Sequence, residues 1–218
     1  MKAAEAHIGK GIYSTSDLAK IFRLKDTRKV AYLFNKYIAD LFEESANYRF
    51  YFGENRKLVN FDTLIHLYIF FELKKRGISY SKIFESFQVL SKKYNTPYPF
   101  SKIKISTTAG RIFANHEEVY FSADKKLQGY FKEILEPLVK RIEYENNSIS
   151  KFYPLGKGKS IVVNPEIQLG SPIIEGTRIN ASIIFDLHKA GDSVELLSKI
   201  YDITKEQVED AIEFANAA

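Results

Sequence analysis

At 218 residues the chain suits one large domain or two small ones, and 45% apolar side chains with 14 Tyr and 17 Phe supply an aromatic-rich core. The absence of cysteine excludes disulfides, thiolate metal sites and cysteine nucleophiles, and fits a reducing compartment. The net charge of +5 hides an asymmetry: residues 1–100 carry 17 Lys/Arg against 10 Asp/Glu, whereas residues 151–218 carry 7 against 10, so a phosphate backbone is drawn to the N-terminal end.

The segment 13–24, YSTSDLAKIFRL, offers Ser14, Thr15 or Ser16 as a cap and places Leu18, Ile21 and Phe22 at i, i+3, i+4, which predicts a short helix. After the polar break Lys25-Asp26, a second helix is predicted from Thr27 to Leu41, with Val30, Leu33, Phe34, Tyr37 and Leu41 on one face. Arg28, Tyr32 and Asn35 fall on the opposite face, flanked by Lys29 and Lys36. Residues 48–61, YRFYFGENRKLVNF, form two β-prone runs joined across Gly53-Glu54-Asn55, a hairpin with Arg56 and Lys57 past its tip. Helix, turn, helix, hairpin is the order of a winged helix-turn-helix. On that reading Thr27, Arg28, Tyr32 and Asn35 lie near base edges, and Arg23, Lys25, Lys29, Lys36, Arg49, Arg56 and Lys57 neutralise phosphates. The alternative is that these cations solvate a helix and a surface hairpin.

Residues 62–76, DTLIHLYIFFELKKR, are apolar on nearly all sides and stop at a basic turn before Gly77, so this helix is buried in a core or an interface. His66 within it reads as a hydrogen-bonded core histidine, since no second ligand stands at helical spacing. Ser79 or Ser81 caps a further helix with Ile83, Phe84, Phe87, Leu90 and Tyr94 at amphipathic spacing. The pattern YSTSDLAKIFRL, TRKVAYLFNKY, LVNFDTLIHLYIFFELKKRGISYSKIFESF resembles the N-terminal domain of MerR-type regulators. The resemblance implies a DNA-binding winged helix-turn-helix followed by a helix pair joined at RGIS.

Residues 101–122 alternate in three runs, Ile103/Ile105, Ile112/Phe113 and Val119/Phe121, which predicts a small β-meander. Residues 130–144 have helical spacing interrupted by Pro137, so the helix either kinks there or restarts. GKGKS at 156–160 fails as a phosphate loop: a strand follows it, and Tyr153 stands where that loop needs a glycine. The stretch 164–179, NPEIQLGSPIIEGTRI, places Ile173-Ile174 between two tight turns as one short buried strand. Its single cation, Arg178, either pairs locally with Glu175 or meets an acidic partner.

Three helices are then predicted. The first, 181–189, turns Ile183, Ile184 and Leu187 inward; the second opens on a capping box at Asp192–Glu195 with Val194, Leu197 and Ile200 inward; the third opens on a box at Thr204–Gln207 with Val208, Ala211, Ile212 and Ala215 inward. The last exposes Glu206, Glu209, Asp210 and Glu213, a poor surface to lay on DNA and a candidate partner surface. Through NPEI, GSPIIEGTRI, KAGDS and ITKEQVEDAIEFA, residues 161–215 resemble the family known as domain of unknown function 433. Its members are similar to VapB-type antitoxins, which pair with PIN-like ribonuclease toxins. The resemblance implies an antitoxin that sequesters such a toxin and represses its own operon.

The expected fold is mainly α with small β elements (α+β): a winged helix-turn-helix over 1–97, a connecting meander and helix over 98–156, and a helix-turn-helix-like three-helix module over 157–218. The expected function is a DNA-binding antitoxin and autorepressor, dimeric and cytoplasmic, that binds double-stranded operator DNA and a PIN-like toxin. The alternatives are a protein-interaction module without DNA binding and a stand-alone transcriptional regulator. The four histidines at 7, 66, 116 and 188 have no zinc spacing, no nucleophile motif occurs, and no run approaches 18 apolar residues, so no metal, cofactor, enzymatic activity or membrane span is expected.

Overall fold

The structure, a computed structural model, describes residues 11–24, 26–32, 50–51, 57–93, 95–96, 98–99, 105–108, 111–114, 117–118, 137–138, 140–146 and 148–216. Contacts group the chain into two units, Met1–Phe61 with Lys151–Ala218, and Asp62–Ser150. The N-terminal segment therefore joins the C-terminal module, whereas the sequence suggested divisions after 97 and 156.

In the first unit, α1 (Thr15–Ile21) begins at Ser14, whose hydroxyl accepts from the Asp17 N–H at 3.2 Å while Asp17 accepts from the Ser14 N–H at 2.9 Å. It buries Leu18, Ala19 and Ile21 and ends in a turn with Arg23 at φ 56°. Helix α2, described over 27–32, is capped by Asp26, whose carboxylate accepts from the Arg28 N–H at 3.0 Å, and it buries Val30. Strands β1 (Phe50–Tyr51) and β2 (Lys57–Leu58) pair antiparallel, Phe50 opposite Leu58. Tyr13 bridges to Val59 through reciprocal 2.9 Å hydrogen bonds, and the Ile12 N–H donates to the Leu169 carbonyl at 3.1 Å. Residues 12–13 thus join the helix pair and the hairpin to the C-terminal module. Tyr13 is 1% exposed, and its ring occupies the space a side chain would need at Gly170, which adopts φ +86°.

The C-terminal core is a short sheet covered by three helices. Strands β7 (Ser148–Phe152), β8 (Ile161–Val163) and β9 (Pro172–Ile174) pair antiparallel with Phe152 opposite Val163 and Ile161 opposite Ile174, so Ile173-Ile174 is the buried strand expected between turns. Helices α5 (Ala181–Lys189) and α6 (Val194–Tyr201) are capped by Asn180 and Ser193, and α7 (Lys205–Asn216) opens on the Thr204/Gln207 box. Ile184, Leu197, Val208, Ala211 and Phe214 converge on Ile161 and Ile174. Three expectations are corrected here. Ile183 and Ile200 are 47% and 62% exposed, because each helix is covered along a narrow stripe. The α6 cap is Ser193, bonded to the Leu196 N–H, and Glu195 turns to Lys205 at 2.8 Å instead of closing a box with Asp192. Phe214, rather than Ala215, fills the inner end of α7.

In the second unit, α3 (Phe61–Lys75) is buried nearly all round, and α4 (Tyr80–Lys93) covers it with Ile83 and Phe87. Strands β3 (Ile105–Thr108), β4 (Arg111–Ala114) and β5 (Glu117–Glu118) form the antiparallel meander. The predicted helix 130–144 is corrected at its end: Ile142–Glu145 is β6, next to β7, with Ile142 buried. Residues 137–138 are still helical, and beyond them the alternation of Ile142 and Tyr144 suits a strand.

Candidate nucleic-acid interface and partner surface

The turn after α1 and the first turns of α2 present the candidate base-reading face. Thr27, Arg28, Lys29 and Tyr32 are exposed around the buried Val30. Arg28 folds back on Asp26, its Nε donating to Oδ1 at 2.9 Å and its Nη2 to Oδ2 at 3.1 Å. The Arg28 side chain is still 90% exposed, and the same pairing holds the Asp26 carboxyl below the usual range. The fork so held stays beside the Asp26 carboxylate that caps its own helix. Lys57 lies in β2 opposite Tyr51. Lys25, Asn35, Lys36, Arg49 and Arg56 lie outside the described residues.

Arg23 is not presented to solvent as a free cation. Its Nη1 stands 3.9 Å from the Glu213 Oε1, its Nη2 donates to the Glu213 carbonyl at 3.4 Å, and its Nε is buried without a partner among the described residues. A candidate phosphate contact and a candidate partner residue therefore hold each other.

On α7 the four carboxylates divide. Glu206 and Glu209 are exposed and carry no ion pair among the described residues. Asp210, expected on the surface, is 6% exposed: one oxygen accepts from Lys159 Nζ and the other from the Ser160 N–H, both at 2.8 Å. Burial opposes its ionisation, but Lys159 and the Ser160 amide outweigh that and hold the carboxyl below its ordinary range. Lys159 also meets Glu213 Oε2 at 2.9 Å, and both carboxylates raise its pKa. In the sequence Lys159 stands out only as part of GKGKS, rejected above as a phosphate loop; its partners lie some fifty residues away, and no local spacing announces them.

Arg178 does not pair with Glu175. That carboxylate accepts from the Tyr153 hydroxyl at 2.7 Å and faces Lys151 at 3.9 Å, while exposed Arg178 makes no ion pair among the described residues. Its neighbour turn is unusual: Gln168 and Leu169 both adopt left-handed backbone, and Leu169 is 66% exposed. Among the described residues no group of three or more His, Asp or Glu could hold a metal ion, and no helix is long and apolar enough to cross a membrane.

No curated protein matches the chain. Among solved structures it is similar to the X-ray crystal structure of Rv2018 from Mycobacterium tuberculosis, with a TM-score of 0.65 over 92% of this chain and 96% of that one, at 13% identity. At that identity the likeness is one of fold. The strands, turns and helices that build the C-terminal core, residues 161–215, match the family described as Protein of unknown function (DUF433).

Proposed function

We propose that the chain is a DNA-binding antitoxin and autorepressor whose N-terminal helices and paired strands act as a MerR-like winged helix-turn-helix. The carrying observation is the exposed row Thr27, Arg28, Lys29 and Tyr32 about the buried Val30, on the more basic end of the chain. On this proposal the row enters the major groove of the chain's own operator, and Lys29 with the neighbouring cations neutralises phosphates. The VapB-like role, with neutralisation of a PIN-like ribonuclease by direct binding, rests on the resemblance carried by residues 161–215 and assigns that partner to the C-terminal module, where Arg178, Glu206 and Glu209 are exposed and make no ion pair among the described residues. The protein acts as a cytoplasmic homodimer without a cofactor or catalytic residue.

Titration of the DNA upstream of its own reading frame tests this. Arg28→Glu is expected to weaken binding at least tenfold, in keeping with about 1–3 kcal/mol for a base-reading contact. Unchanged affinity overturns the assignment. The second reading, a protein-interaction module that never touches DNA, is favoured by the acidic face of α7; it requires no salt-dependent binding even at low ionic strength.

A further inference from the structure

We infer that Glu213 competes with DNA phosphate for Arg23, so that the C-terminal helix restrains the nucleic-acid contact of the turn that leads into α2. The inference rests on the DNA-binding reading above and adds to it a residue that sets affinity from outside the DNA-facing segment. Arg23 stands in the left-handed turn between α1 and α2, where a cation would meet the backbone of a duplex lying on α2. None of its three guanidinium nitrogens faces such a ligand: Nη1 and Nη2 are turned to Glu213, and Nε is buried.

The restraint is exchangeable. Arg23 and Glu213 side chains are 33% and 45% exposed, and their ion pair is long at 3.9 Å. A phosphate would replace it with a shorter charge-assisted contact. Glu213 would not be stranded, because its other oxygen lies 2.9 Å from Lys159, which Asp210 anchors in turn at 2.8 Å. Ser160, Asp210 and Lys159 thus hold Glu213 in place whether or not Arg23 remains.

A double-mutant cycle on DNA affinity tests this, using the full chain and its upstream DNA at several salt concentrations. Glu213→Gln is expected to raise affinity about threefold at low salt and to steepen the salt dependence by about 0.9, the increment of one added phosphate contact. In an Arg23→Gln background that gain should vanish. Glu209→Gln, which removes an exposed carboxylate from the same helix, reports the gain from charge alone. An equal gain from Glu213→Gln in both backgrounds, or a gain no larger than that of Glu209→Gln, overturns the competition while leaving DNA binding intact. Absence of DNA binding by the parent protein overturns both. Should Arg23→Gln fail to fold, Arg23→Met serves, since it keeps a long stem to fill the site and removes the cation.

Discussion

At the scale of single residues, His66 and Tyr13 show how far a side chain's fate can be anticipated. His66 stands in an apolar run, and a core histidine follows from that alone. It is 2% exposed, packs against Phe87 and Tyr98 with ring centroids 5.3 and 5.5 Å away, and its Nδ1 donates to the Asp62 carbonyl at 3.2 Å. Burial pushes its pKa down to about 4. Because the unfolded chain binds this proton from about pH 6.5, the contribution of neutral His66 is complete above that pH. It declines by about 1.4 kcal/mol per unit as the pH falls toward 4. Chemical unfolding of the parent and of His66→Phe across pH 4–7 checks this: the variant should lack that part of the slope.

Tyr13 was legible only as a residue before a cap. Its contact with Gly170 joins distant parts of the chain and leaves no local signature. The Tyr13 hydroxyl is buried without a protein partner among the described residues, and burial raises its pKa. Tyr13→Phe should therefore stabilise the fold by about 1 kcal/mol. Gly170→Ala should destabilise it by more than about 3 kcal/mol, since it adds a methyl where the phenol sits and does so at positive φ. Thermal unfolding of the two variants decides both signs.

At the scale of elements, boundaries written in side-chain chemistry were readable and those set by packing were not. Ser14 and Asp17 announce the start of α1 by spacing, and Ser14→Ala should cost about 1 kcal/mol in denaturant unfolding. An unchanged midpoint would show that Thr15 or Ser16 takes over. Thr204 and Gln207 announce α7 in the same way. The inner face of α7 was only half readable. At about 100° per residue, Asp210 lies roughly 40° from Phe214, inside the covered arc, so its charge misdirected it to the surface. Only a cation and an amide from the loop before β8 make that position tolerable. Likewise Ile142 and Tyr144 fit either a helix or a strand in a short run, and pairing beside β7 selected the strand.

At the scale of the molecule, the charge asymmetry seen in the sequence is bridged by the fold. The basic N-terminal segment and the acidic C-terminal helices belong to one unit, in which Arg23, Lys159, Asp210 and Glu213 meet. Composition could assign each end a polarity but could not reveal that the ends are neighbours, because nothing local encodes which distant segment a turn will meet. Lys29→Ala should reduce the salt dependence of DNA binding by about one unit with little change in preference among sequences, as a phosphate contact does. A loss of sequence preference would place Lys29 at a base edge instead.

The hydrogen bonds that tie residues 12 and 13 to Leu169 and Val59 carry a consequence for how the polypeptide could be divided. A unit made from Met1–Phe61 and Lys151–Ala218 is held by contacts between two pieces of chain, and peptide continuity through residues 62–150 raises their effective concentration. Produced as separate polypeptides in one cell, the two pieces should reassemble and copurify, in the manner of a split reporter. Gly170→Ala in the second piece should abolish recovery of the first.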